Sequence, residues 1–94
     1  MRADQVLPDS VNALDVRGTT VRKGTVAAFL FNARVWCDPS SSEASRAEAQ
    51  ADMTDALVTL HAIGLFDVLE IRDAALRDWV DSQSAGEARG EVQA

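Results

Sequence analysis

The sequence predicts an α+β fold in which a short N-terminal β-hairpin is followed by three helices, with the first helix central. Residues 11–25 are rich in Val and Thr, which favour strands, and contain a glycine suited to a turn. Residues 25–37 and 41–63 are long apolar-rich segments, and each ends at a helix stop signal. The alternative is an all-α bundle in which residues 13–24 are irregular.

The chain of 94 residues is long enough for one domain with a single small core. Its composition, 47% apolar and 26% charged residues, is ordinary for a folded protein. We expect a flexible arm over residues 1–10, a globular domain over residues 11–83 and a disordered tail over residues 84–94. The two ends are polar and rich in small residues, so neither can bury itself.

The predicted hairpin turns around Arg17, Gly18 and Thr19. The first helix is expected from Thr25 to Cys37, with a threonine as its N-cap, either Thr20 or Thr25. It should end before Pro39, because the residue that precedes a proline avoids the helical conformation.

The predicted first helix is apolar on nearly all sides. Its broad face is expected to be Val26, Phe29, Leu30, Ala33, Trp36 and Cys37, and its second face Ala27, Ala28, Phe31 and Val35. Such a helix is either central to a core or covered by another subunit. Because so small a chain has few elements with which to wrap it, the pattern favours a homodimer.

The second helix is predicted from Ser41 to Ile63, with a capping box formed by Ser40 and Glu43 and with Gly64 just beyond its end. The segment 65–71 is ambiguous, since it suits either a short strand or a resumed helix. Asp73 is the predicted N-cap of a last helix over residues 74–83.

Charge is distributed unevenly along the chain, whose net charge is −6. Residues 1–37 carry five cations and three acids, a net +2, whereas residues 38–94 carry four cations and twelve acids, a net −8. The acidic total disfavours a dedicated nucleic-acid binder. The asymmetry indicates either complementary surfaces for self-association or simply solvated acidic helix faces.

The cellular location is predicted from the cysteine count and the apolar runs. One cysteine excludes an intramolecular disulfide framework and suits a reducing cytosol. The first ten residues contain no apolar signal region, and the longest apolar run, residues 26–37, is too short for a bilayer. We therefore expect a cytoplasmic protein without a membrane partner.

A weak anion-binding site is predicted at Arg22, Lys23, Gly24 and Thr25. A helix N-terminus offers unpaired N–H groups, and two cations adjoin it here. The residue order does not match a phosphate-binding loop, however, and the alternative is a capped helix start with solvated cations. This site underlies an alternative function, a regulatory module that binds an anionic ligand or nucleic acid.

Catalytic and metal chemistry is not predicted. Cys37 is expected to be a buried small residue beside Trp36, at the helix end that disfavours a thiolate. His61 is expected to be partly exposed, and a dyad of Cys37 with His61 stays open. One histidine and one cysteine are too few for a zinc site, so no metal or other cofactor is expected.

The leading functional prediction is a small non-enzymatic interaction or structural module that self-associates as a homodimer. The predicted interface residues are Phe31, Val35, Trp36 and Val58, which occupy the second apolar sides of the first two helices or, for Trp36, offer a large aromatic surface. An unknown protein partner is the other possibility.

Overall fold

The computed structural model describes residues 2, 5 and 10–93, with side chains up to residue 83. From residue 10 onward the elements are β1 (Ala13–Val16), β2 (Thr19–Arg22), α1 (Thr25–Cys37), α2 (Glu43–Ala62), α3 (Leu65–Val68) and α4 (Ala74–Gln93). The predicted α+β class, a hairpin followed by helices, is confirmed. The predicted arm over residues 1–10 lies outside the described residues apart from Arg2, Gln5 and Ser10.

The hairpin forms around the predicted turn. β1 and β2 pair antiparallel, with Ala13 opposite Arg22 and Val16 opposite Thr19. Only two residues connect the strands, and both have positive φ, 51° at Arg17 and 82° at Gly18. Two consecutive positive φ values match the right-handed twist of a tight hairpin, which explains the glycine.

The predicted bounds of α1 are confirmed, but its predicted side-chain cap is wrong. The N-cap is Gly24, which has φ 87°, so no side chain caps the helix. The Thr25 hydroxyl instead donates to the Arg22 carbonyl at 2.7 Å. The chain passes from β2 into α1 within two residues, and this tight passage uses a left-handed conformation that glycine adopts without strain. α1 ends as predicted, because Asp38 before Pro39 is extended.

The predicted capping box of α2 is also wrong, by two residues. Ser42 is the N-cap, and its hydroxyl oxygen accepts from the Ser45 amide at 3.1 Å. Ser40 is engaged elsewhere, since its hydroxyl and its amide both donate to the Asp38 carboxylate, at 2.7 and 2.9 Å. These two bonds also hold the pKa of Asp38 below its ordinary value. At the other end, Gly64 has φ 78°, as the predicted helix stop requires.

The segment that was ambiguous in sequence is helical at Leu65–Val68 and extended at Leu69. The predicted cap of the last helix is confirmed, because the Asp73 carboxylate accepts from the Leu76 amide at 2.9 Å. α4 continues to Gln93 rather than ending near residue 83. Six of the ten residues in that extension are Glu, Ala, Arg or Gln, which favour helix, and two are glycines, which do not. The predicted division into an arm over residues 1–10, a domain over residues 11–83 and a disordered tail over residues 84–94 stays a prediction.

The core is centred on α2 rather than on α1, the helix that was expected to be central. The buried apolar side chains are Phe29 and Ala33 from α1, Ala49, Met53, Leu57 and Leu60 from α2, and Leu76 and Val80 from α4. Met53, Leu57 and Leu60 are fully buried. α2 contacts α1, α3 and β2. α2 is therefore covered on more sides than α1. Part of the surface of α1 lies outside the core.

Candidate interaction surfaces

Four exposed residues form what we call the α1 outer face, namely Ala27, Leu30, Phe31 and Arg34. Their spacing of three, four and seven residues places them along one side of the helix. The side chains of Leu30 and Phe31 are 58% and 72% exposed, whereas Phe29 is 6% exposed. Because Phe29 and Phe31 are two residues apart, they point about 200° from each other, one into the core and one outward.

The four predicted interface residues differ in exposure. Phe31 and Val58 are exposed, at 72% and 54%, and Val35 and Trp36 are half-buried. Val58 lies on α2, about 100° around the helix from the fully buried Leu57. Because Val58 belongs to α2, it is not part of the α1 outer face. Its place in an interface stays a prediction.

Trp36 is held by contacts within the chain. Its indole N–H donates to Gln50 Oε1 at 3.1 Å. Its ring lies 6.1 Å from that of Trp79, and the Arg46 guanidinium carbon is 5.6 Å from the Trp36 ring centroid. Trp36 thus ties α1 to α2 and α4.

A cleft of mixed polar and apolar lining lies beside α3, and we call it the α3 groove. It is a cleft of about 650 Å³ lined by α3, the segment after it and one side of α4. Two apolar side chains on its wall are exposed, Val68 at 83% and Leu69 at 58%. Asp67, Glu70 and Asp81 also line the groove, together with His61 and Arg77.

Sequence reasoning missed Leu30, Val68 and Leu69. Leu30 was placed on the broad apolar face of its helix together with Phe29, and Val68 and Leu69 lie in the segment 65–71, which was ambiguous between strand and helix. The short helix α3 and the turn at Gly64 change the direction of the chain, so that Val68 and Leu69 face solvent. The Val68-Leu69 pair was an available signal, because these two large apolar residues are adjacent and flanked by acids. In a strand, adjacent side chains point to opposite faces, so one face of the sheet cannot bury both.

The predicted anion site has acidic neighbours. Arg22 and Thr25 line a cleft of about 450 Å³ between β2, α1 and α2, and Asp52 and Asp55 line the same cleft. These carboxylates oppose the binding of an anion there. The Thr25 hydroxyl also donates to the backbone, as described above, and Gly24 carries the left-handed turn. The anion-binding function stays a prediction, and these neighbours count against it.

Cys37 and His61 do not form a dyad. α1 and α2 run antiparallel, since Thr25 lies near Thr59 and Val35 lies near Ser45. Trp36, the neighbour of Cys37, bonds to Gln50, and His61 is eleven residues further along α2, which is roughly 16 Å of helix. His61 instead stands edge-on to Phe66, with ring centroids 5.5 Å apart.

Cys37 is exposed, so the expectation that it is buried beside Trp36 is wrong. Partial desolvation of its thiol raises the pKa of Cys37, and the Asp73 carboxylate raises it further, while the Arg46 guanidinium opposes both. A raised pKa leaves less thiolate at neutral pH, and the thiolate is the reactive form. The site therefore lacks the activation that a nucleophilic cysteine needs.

The rate at which iodoacetamide labels Cys37 tests this electrostatic setting. We expect the pH midpoint of labelling to lie higher in the native protein than in the urea-unfolded chain. Asp73→Asn removes the charge but keeps a good helix cap, so it should lower the native midpoint. A native midpoint at or below that of the unfolded chain would contradict the raised pKa.

Among the residues that the structure describes, no group of three or more His, Cys, Asp or Glu side chains is placed to hold a metal ion. Within the same residues, no helix is both long and apolar enough to cross a bilayer.

Comparison with protein families, curated proteins and solved structures gives no match. The exposed apolar side chains of the α1 outer face and of the α3 groove are the features from which a function can be argued.

Proposed function

We propose that this chain is a small, non-enzymatic, cytoplasmic interaction module that self-associates through the α1 outer face. The observation that carries the proposal is the exposure of Leu30 and Phe31, at 58% and 72%, on adjacent positions of one helix. Contiguous exposed apolar side chains mark interaction sites on soluble proteins, and Phe is enriched in interface cores. The single exposed cysteine suits a reducing compartment.

The α1 outer face supplies only part of the free energy that association needs, because binding also costs translational and rotational freedom. Full burial of a Leu or Phe side chain contributes about 1.5–3 kcal/mol, and both are already partly buried in the single chain. The α1 outer face alone therefore supports weak, concentration-dependent binding, to which neighbouring contacts and charges add. We propose an oligomer that forms and dissociates rather than an obligate one.

Phe31→Glu is expected to abolish self-association at concentrations where the wild-type chain associates. The substitution removes the largest exposed apolar side chain and adds a charge that the interface would have to desolvate. We expect the dissociation constant to rise about 10- to 100-fold, which corresponds to about 1.4–2.8 kcal/mol. Size-exclusion chromatography with light scattering, over a concentration series, measures the change.

The matched control is Ala51→Glu, which adds the same charge at an exposed position of α2. Ala51 lies two residues from the fully buried Met53, so it points away from the core, on the same side of α2 as Val58. If the interface is the α1 outer face and does not include Val58, we expect the Ala51 variant to associate like the wild type. A wild-type chain that stays at its monomer mass of 10.1 kDa at every concentration would remove the proposal. Equal loss of association in both variants would remove the assignment to α1.

A further inference from the structure

We infer that the α1 outer face of one copy docks in the α3 groove of a second copy. This inference rests on the self-association proposed above and names the surface that α1 meets. The alternative arrangement is a two-fold contact in which the α1 outer face meets its own copy. Charge separates the two arrangements.

The segment that contains the α1 outer face is rich in cations, although Asp52 and Asp55 of α2 lie beside Arg22. No acid occurs between Asp15 and Asp38, whereas four cations fall in that interval, Arg17, Arg22, Lys23 and Arg34. Arg34 lies on the α1 outer face itself, and Arg22 and Lys23 precede the first turn of the helix. Two such helices packed antiparallel would bring Arg34 of each copy toward the N-terminal cations of the other, which is unfavourable.

The α3 groove has the opposite charge. Of its three carboxylates, Glu70 is paired with Arg77 at 3.2 Å. Asp67 and Asp81 have no ion-pair partner among the side chains that the structure describes. A helix that carries Arg34 beside Leu30 and Phe31 would therefore meet two carboxylates at the edge of an apolar surface. Complementary charge at the rim of an apolar contact favours that pairing over a contact of like charges.

The apolar parts of the two surfaces also complement each other in form. The α1 outer face is convex, a ridge of side chains on a helix of 13 residues. The α3 groove is concave, with about 650 Å³ of open volume beside the exposed Val68 and Leu69. Docking of an amphipathic helix in a groove is a common mode of protein recognition, and here the exposed Val68 and Leu69 would supply the apolar contacts. Each copy carries both surfaces, so docking is either reciprocal within a closed dimer or serial in a ring or chain.

The test mixes two variants that each lose one of the surfaces. Phe31→Glu disables the α1 outer face, because the carboxylate that it introduces is repelled by the carboxylates of the α3 groove. Val68→Lys disables the α3 groove and is repelled by the cations of α1, and Val68 is 83% exposed, so the domain should still fold. We expect each variant alone to be monomeric by light scattering. Their equimolar mixture should recover a species of about 20 kDa, because one chain keeps an intact α1 face and the other an intact groove.

Different outcomes overturn different statements. If Val68→Lys associates like the wild type while Phe31→Glu is monomeric, self-association stands and docking in the α3 groove is wrong. If both variants are monomeric and mixing recovers nothing, the groove is again excluded as the partner of α1. If the wild type itself never associates, the proposed function fails and this inference fails with it. Circular dichroism verifies folding, and Leu30→Glu and Leu69→Lys repeat the design at neighbouring exposed sites.

Salt provides a second, independent readout on the wild-type chain. Contacts between opposite charges weaken as salt screens them, whereas contacts between like charges strengthen. Raising NaCl from about 0.05 M to about 0.5 M should therefore raise the dissociation constant several-fold. A dissociation constant that falls over this range would favour the two-fold contact between α1 helices and overturn the inference.

Discussion

Phe29→Ala is expected to lower the free energy of unfolding by about 3–5 kcal/mol. Phe29 is 6% exposed and stands edge-on to Phe66, with ring centroids 6.2 Å apart. Its removal loses apolar burial and an aromatic pair and leaves a cavity between α1, α2 and α3. A domain of 94 residues has a stability of about 5–14 kcal/mol, so this variant would approach the limit of folding. Urea titration followed by tryptophan fluorescence measures the loss.

Phe31→Ala is the matched control, because it is the same substitution two residues away on the same helix. Phe31 is 72% exposed, so we expect its variant to unfold within about 0.5 kcal/mol of the wild type. The comparison is made at a concentration where the chain is monomeric, since association stabilises the folded state. A larger loss for Phe31→Ala than for Phe29→Ala would mean that α1 is rotated from the position described.

Local signals in the sequence were sufficient to predict most element ends. The turn at Gly18, the end of α1 before Pro39 and the end of α2 at Gly64 each depend on one residue with a restricted or unusual backbone preference. Such preferences act within a few residues and need no knowledge of the rest of the fold. The start of α2 was less determined, because three consecutive serines offer equivalent caps and only the bonds to Asp38 separate Ser40 from Ser42.

The direction in which α1 faces the core was not predictable from local pattern. Phe29, Leu30 and Phe31 are similar in apolar character, and a helix that is apolar all round has no polar side to orient it. Packing against α2 and α3 selects Phe29 for the core and leaves Leu30 outside, although the sequence placed both on the same broad face. The same limit applies to the α3 groove, because its lining residues come from separate elements that only the folded chain brings together.

Leu57→Ala is expected to lower the free energy of unfolding by about 2–5 kcal/mol, by the same urea titration. Leu57 is fully buried in the middle of the core, on the helix that contacts α1, α3 and β2. A side chain so enclosed leaves a void that the surrounding helices can fill only in part, which adds to the lost burial. The neighbouring Val58 is 54% exposed, and Val58→Ala should cost less than about 1 kcal/mol.

Leu57→Ala also separates folding from association. Leu57 has no exposed surface, so the variant molecules that remain folded should self-associate with the dissociation constant of the wild type. Phe31→Glu should show the opposite pattern, with stability nearly retained and association lost. If Leu57→Ala weakens association among folded molecules as strongly as Phe31→Glu does, the interface depends on the whole core rather than on the α1 outer face. If the two effects separate, the core on α2 holds the fold and the exposed side of α1 binds the partner.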